Sequence, residues 1–402
     1  MTAVRCDSRW RTGTLLIGTA VSLAVTAGYL IHSVTGYLMD LSVFRDAGYA
    51  LTAGLPLYSE DFPSSSGFRF IYPPFAAVLF LPMAALAPLV LQVVWSALNL
   101  ALVWWCARLV LIRLAVPRPV WTAVALMGPI LLLEPVRSNF AFGQINLVLM
   151  ALVLADLLGA TPRRWHGVGI GIAAAIKLTP AAFGLVLLLR RDLPSAARAA
   201  GAFLAAAGIG FAVAPKDSVY FWVTEFFNTE RAGGHAFSRN QAVTGLLARL
   251  GADGAVKDTV WLAAAAVIIA AAAWAGYRFT RVGEHVAAVS VLALAVLLAV
   301  PFAVTHHWAY SVLLLPLLVA PQYRSWRPLL ALATVIFLIG PHTLLPEPGA
   351  GGAEAAVRQL LGNAQVLVAL VLLVAAVLAA RTRTRVTAAA PTSSPVPAGS
   401  TV

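Results

Sequence analysis

Charge is what this sequence has least of. Only 11% of its 402 residues are Asp, Glu, Lys or Arg, whereas 60% are hydrophobic and the mean hydropathy is +0.86. Soluble domains carry roughly a quarter charged residues, so a water-soluble core-and-surface fold is excluded. Cysteine is nearly absent: Cys6 in an N-terminal tail and Cys106 in an apolar run exclude a disulfide framework. No GxGxxG, Walker loop, HExxH or CxxC pair occurs, which leaves cytoplasmic nucleotide binding without support. Alternation of polar and apolar residues is missing too, and with it the pattern of a membrane β-barrel.

What is present is a succession of apolar runs near 20 residues long, the length that crosses about 30 Å of hydrocarbon with every backbone bond closed inside a helix. The fold class is therefore an all-α polytopic membrane protein. Helices are expected at about 13–32, 90–113, 119–134, 143–160, 167–176, 178–190, 196–214, 257–278, 285–303, 308–320, 328–344 and 362–380, about twelve crossings. The first run follows Arg5, Arg9 and Arg11, but its length and the lack of a small-residue cleavage site indicate a retained anchor. Two places depart from simple crossings. Tyr72–Pro88 is broken by Pro73, Pro74, Pro82 and Pro88 and reads as a juxtamembrane or re-entrant piece, and 167–190 reads as two short helices meeting near Lys177-Leu178-Thr179-Pro180.

Eighteen of the 28 basic residues but only four of the 16 acidic ones fall on one side of this arrangement, which makes that side cytoplasmic and places both termini there. The formal charge of +12 is loop bias of this kind rather than a nucleic-acid surface. One membrane domain, 1–380, precedes a 381–402 tail rich in Pro, Ser, Thr and Ala that is expected to be disordered. The polar segments 39–71, 135–144, the apex at Lys177, 215–257, 305–308 and 342–363 converge on the opposite, periplasmic face.

Several residues there resist a bland explanation. Asp40, just beyond the first helix, either caps the amphipathic helix that follows or serves as a general base whose proton affinity is raised by burial. Asp46 points to another face and reads as a structural ion-pair partner. Gln144 and Asn146 lead an otherwise apolar helix, where unpaired amides are costly, so they bond neighbouring helices or line a polar site. Lys177 interrupts an apolar run and needs an anion, either an internal partner such as Glu134 or a phosphate. Ser238, Arg239, Asn240 and Gln241 precede a short helix and either cap it or bind an anion or sugar. His306 and His307 are adjacent, so their side chains diverge by about 100° on a helix and do not readily share one metal ion. Trp308 is either an interfacial anchor or a platform for a sugar ring.

The segments DLSVFRDAGYALTAGLPLY (from Asp40), FIYPPFAAVLFLP (from Phe70), FGQINLVLMAL (from Phe142), AAAIKLTPAAFGLVLLLRR (from Ala173) and SRNQAVTGLL (from Ser238), in that order, resemble glycosyltransferase family 87. These are polyprenol-phosphate-mannose-dependent mannosyltransferases of the GT-C class of membrane glycosyltransferases. The similarity is greatest to members that add an α-1,2-linked mannose to phosphatidylinositol mannosides of the mycobacterial cell envelope. The resemblance implies a GT-C fold with its active site facing the periplasm, polyprenyl (decaprenyl) phosphate mannose as donor and inversion at the sugar. It implies Asp40 as base, Arg239, Lys177, His307 and His306 at the donor phosphate, and Asn139, Gln144, Asn146, Asn240, Gln241, Trp308 and Tyr72 around the sugars. No metal and no cofactor is expected, because cationic side chains supply the charge a departing phosphate needs. Alternatives are a sister enzyme that branches lipomannan or transfers arabinofuranose, and a lipid or sugar transporter, which would be favoured by internal repeats that the sequence lacks.

Overall fold

The computed structural model describes residues 2–228, 233–345 and 352–382; the tail expected to be disordered lies almost wholly outside these residues. Eighteen α-helices account for most of the chain. The first seven are α1 (Thr2–Thr35), α2 (Met39–Ala53), α3 (Pro74–Ala84), α4 (Pro88–Arg113), α5 (Pro119–Leu132), α6 (Glu134–Phe142) and α7 (Asn146–Leu157). Next come α8 (Val168–Ile176), α9 (Gly184–Leu189), α10 (Leu193–Val213), α11 (Pro215–Val223), α12 (Val243–Arg249) and α13 (Gly254–Arg281). The last are α14 (His285–Ala299), α15 (Leu314–Val319), α16 (Arg327–Ile339), α17 (Gly352–Gly362) and α18 (Ala364–Thr382). Among the described residues there is no strand, only an isolated bridge between Asn240 and Val304.

Proline sets many of the starts. Pro74, Pro88, Pro119 and Pro215 are the first residues of α3, α4, α5 and α11, where the missing N–H costs nothing and the fixed φ suits the helix. Five helices are long and apolar enough to cross a membrane alone: Gly13–Thr35 within α1, α4, α10, α13 and α18. α5 and α6 make a sixth if taken as one span bent by 78°. The chain is a multi-pass membrane protein. The expected crossings 178–190 and 308–320 are partly 3₁₀, with α9 and α15 only 6 residues long, and α7, α8, α14 and α16 run for only 9 to 15 residues each, shorter than a single span needs.

Small residues let the backbones close up. Gly18 and Gly128 bring α1 against α5, and the Ser22 hydroxyl donates to the Ala125 carbonyl at 3.2 Å and accepts from Gly128 N–H at 2.7 Å. The Tyr29 hydroxyl adds a bond to the Leu131 carbonyl at 2.7 Å. α3, the expected re-entrant piece, packs beneath α2, and Phe44 of α2 stacks on Phe80 of α3 at 4.6 Å. A Cβ on Gly48 would lie 2.4 Å from the Phe80 carbonyl oxygen. Asp46 is not an ion-pair partner, as expected from sequence; its carboxylate accepts from Ser65 N–H at 2.8 Å and Ser65 Oγ at 2.7 Å, tying the 55–72 loop onto α2.

Gly48→Ala is expected to force α2 off α3 and destabilise the protein by about 1–3 kcal/mol, the usual cost of overpacking. A thermal midpoint in detergent equal to that of the unmodified protein would refute this close approach.

Candidate active site

The site begins where α6 ends against α2. Gly143 terminates α6 with φ +71°, and a Cβ there would meet the Cβ of Leu41 at 2.7 Å and that of Leu38 at 3.0 Å. This contact delivers Gln144 to the first turn of α2. Asp40 does not cap that helix: Leu38 is the N-cap, without a side-chain bond, and Asp40 is already helical. Its carboxylate instead faces the Gln144 amide and Lys177. Burial pushes the Asp40 carboxyl up to about 6, and Gln144 and Lys177 only partly offset this by favouring the charged form.

A row of amides continues from there. Tyr72 donates its hydroxyl to Gln144 Oε1 at 3.3 Å, and Asn146 Nδ2 donates to the same oxygen and to Asn139 Oδ1, both at 3.2 Å. Asn139 in turn donates to the carbonyls of Pro135 at 2.8 Å and His306 at 2.7 Å, joining α6 to the 3₁₀ stretch Thr305–Leu313. Lys177 occupies the expected break: α8 stops at Ile176, Lys177 is extended, and a 3₁₀ turn at Thr179–Phe183 follows. Its ammonium donates to Asn146 Oδ1 at 3.0 Å, lies 2.8 Å from His307 Nε2, and sits 5.4 Å from the centre of the Tyr72 ring. Glu134, the internal partner considered for Lys177, lies 3.8 Å from His342 and accepts from Ser138 at 2.6 Å.

Burial, Lys177 and Arg239 push His306 well below the usual histidine range, and burial, Lys177 and His306 do the same for His307. Both imidazoles are neutral at pH 7. The backbone carbonyl of Phe302 takes one ring N–H of His307, which leaves Nε2 as the acceptor for Lys177. The two rings meet edge to face at 4.8 Å.

Arg239, Asn240 and Gln241 separate into two kinds. Arg239 is half-buried, with Glu134, His306 and His342 in its field, and makes no hydrogen bond or ion pair among the described residues. Asn240 and Gln241 are fully buried and hold loops. Asn240 Oδ1 accepts from Ala303 N–H at 3.0 Å and Ala242 N–H at 3.3 Å, and its Nδ2 donates to the His235 carbonyl at 3.0 Å. Gln241 donates to the carbonyls of Ser238 and Gly362, both at 2.8 Å. Neither Ser238 nor Asn240 is the N-cap of α12, which begins after Ala242.

Trp308 is not an interfacial anchor but a buried wall of an apolar cavity of about 110 Å³, packed edge to face on Phe337 at 5.8 Å. The cavity runs between α14, α15, α16 and α18, and shares Leu297 and Tyr310 with a smaller pocket of about 30 Å³ whose mostly apolar lining includes Asn146, Lys177 and His307. Sequence reasoning missed Tyr310, which stacks on Phe183 at 4.9 Å where the two spaces meet, and His342 beside Glu134. Tyr310 was legible in principle, one helical turn after His307.

Glycosyltransferase family 87 matches residues 70–303. A polyprenol-phosphate-mannose-dependent alpha-(1-2)-phosphatidylinositol mannoside mannosyltransferase of Mycolicibacterium smegmatis is 35% identical over 421 residues, covering 96% of this chain and 93% of the relative. Its namesake in Mycobacterium tuberculosis is 36% identical, covering 80% and 81%. A further relative from M. tuberculosis, named as a polyprenol-phosphate-mannose-dependent alpha-(1-2)-phosphatidylinositol pentamannoside mannosyltransferase, is 30% identical, covering 79% of this chain and 74% of the relative. No solved structure matches the chain.

Asn240→Leu would leave the buried N–H groups of Ala242 and Ala303 without their acceptor, and is expected to cost at least about 2 kcal/mol. Thermal unfolding reads this directly; an unchanged midpoint would show that Asn240 does not hold the 303 loop.

Proposed function

The chain belongs to glycosyltransferase family 87, and on that premise we propose that it transfers mannose from polyprenyl phosphate mannose to a phosphatidylinositol mannoside, forming an α-1,2 linkage. The observation that carries this reading is a row hydrogen-bonded from Gln144 through Asn146 to the Lys177 ammonium, with the half-buried carboxylate of Asp40 facing its Gln144 end. A sugar lying along that row meets a base on one side and a cation on the other, as an inverting displacement requires.

The acceptor hydroxyl attacks the anomeric carbon of the donor mannose. As the new carbon–oxygen bond forms, the bond from that carbon to the phosphate oxygen breaks, and the hydroxyl proton passes to Asp40. The departing polyprenyl phosphate carries the bonding electrons and is held by Lys177 and by Arg239, whose guanidinium has hydrogen bonds to give. His307 contributes through Lys177, since its accepting nitrogen aims the ammonium. Tyr72, Asn139, Asn146 and His306 shape the polar wall on which the sugars lie, and Asn240 and Gln241 support the loop that presents His306 and His307. The isoprenoid chain of the donor takes the apolar cavity beyond Tyr310, with Trp308 in its wall.

The site faces the periplasm and both termini face the cytoplasm. Arg113, Arg163, Arg164, Arg190, Arg191, Arg278 and Arg281 support this orientation, because they cluster at the helix ends remote in sequence from the site's loops. The GT-C class supplies the comparison for the remaining, shorter helices as parts of about twelve crossings. A neighbouring polar end and apolar groove suit a lipid-linked sugar drawn from the bilayer better than a water-soluble nucleotide sugar.

Asp40→Asn is expected to lower turnover by about 10²-fold or more, the usual worth of a positioned base, without loss of donor binding. Because the base works ionised and its carboxyl is pushed up to about 6, kcat/KM should rise with pH through a limb near 6 and level off above it. A mutant with full turnover of labelled lipid-linked mannose, or a limb near 4, would remove Asp40 from this role. Lys177→Ala should weaken donor affinity by about 10- to 100-fold, the worth of one charge-assisted hydrogen bond; unchanged affinity would make Lys177 structural.

A further inference from the structure

We infer that Gln144 is a positioning residue for Asp40 rather than a ligand of the sugars, and that with Asn146 it forms a two-amide link between the base and the cation at the donor phosphate. The orientation of the Gln144 amide follows from its neighbours. Two donors, the Tyr72 hydroxyl at 3.3 Å and Asn146 Nδ2 at 3.2 Å, converge on Oε1, so that atom is the carbonyl oxygen and is doubly engaged. The amide nitrogen is thereby turned toward Asp40, the acceptor it meets there. Asn146 is fixed in the same way from the other side. Lys177 has only hydrogens to give, so the Asn146 atom it meets at 3.0 Å is the oxygen, and Nδ2 is left for Gln144 and Asn139.

Each amide in the row therefore has one permitted orientation, set ultimately by the charge of Lys177. Gln144 is only 4% exposed, with its oxygen occupied twice and its nitrogen turned toward Asp40, which leaves little of it to present to a sugar hydroxyl. Gly143 belongs to the same device, because its lack of a side chain lets Gln144 approach the first turn of α2. The charged and titratable groups around Asp40 are few. Lys177 faces it from the break after α8, with His307 neutral behind that lysine. On its own helix Arg45 bonds the Leu86 carbonyl and Asp46 bonds Ser65. A change at Gln144 is thus read mainly by Asp40.

The inference rests on Asp40 being the base, and the experiment separates the two. Full-length Gln144→Leu and Gln144→Glu are compared with the unmodified enzyme and Asp40→Asn in detergent, with labelled polyprenyl phosphate mannose and acceptor across pH 5 to 9. Gln144→Leu removes a donor facing the ionised carboxylate, so its acid limb should move up by roughly half a unit or more, with kcat on the plateau above the limb reduced about 10- to 100-fold through loss of aim and the donor KM little changed. Gln144→Glu keeps the shape but sets a second carboxylate beside the first, and its limb should move up further still. An acid limb that stays in place in both variants while Asp40→Asn is inactive would overturn the positioning role. A raised acceptor KM with kcat and limb intact would overturn it equally, in favour of a sugar ligand. Activity in Asp40→Asn would instead overturn the base. Gln144→Glu, nearly isosteric, serves alone if the leucine variant does not fold.

Discussion

An ammonium set into an apolar run has to be satisfied, and most of the site is built by satisfying the one on Lys177. A charge at membrane depth costs several kcal/mol unless it is paired or hydrogen-bonded. Lys177 meets that demand with an amide oxygen, an imidazole nitrogen and a tyrosine face from three separate parts of the chain: α7, the 305–313 stretch and the loop before α3. Because an ammonium only donates, it fixes the orientation of every amide it touches, and the order passes along Asn146 to Gln144 and so to Asp40. Two residues of opposite charge, remote in sequence, are kept apart yet coordinated by neutral groups. A direct ion pair would have quenched both.

This arrangement explains why the histidines are neutral and why that is useful. His307 lies within hydrogen-bonding reach of a cation, and a second positive charge there would be repelled. As an acceptor it holds Lys177 without cancelling its charge. Glu134, a further carboxylate, is engaged by Ser138 and His342 rather than by Lys177. Separation of the acid from the cation is what leaves the site electropositive at one end.

The sequence was most legible where a polar residue violated its surroundings. Lys177 in an apolar run, the amides heading α7 and Asp40 at the mouth of α2 all stood out for that reason, and all belong to one network. The break at Lys177-Pro180 was legible because proline and a charge coincide there. Asn240 and Gln241 misled, since their partners at Ala303, Gly362 and Val366 are 60 to 125 residues away, and periodicity says nothing of contacts at such range. Trp308 misled because a tryptophan at a helix end looks the same whether it faces lipid or a cavity. Crossing number was hard for a related reason: apolar runs such as α7, α14 and α16 identify buried helices without saying whether each spans the bilayer alone.

α1 lies along the edge of the bundle with little of it covered, and only three residues, Gly36 to Leu38, separate its end from α2. Left at that, Asp40 would be a weight on a short tether tied to a helix whose spanning stretch is only 6% buried. The close seating of Gly48 on Phe80 and of Gly143 on Leu38 and Leu41 moors α2 to α3 and α6 instead. Held from two sides in this way, the Asp40 carboxylate does not depend on the three-residue link to α1 for its position.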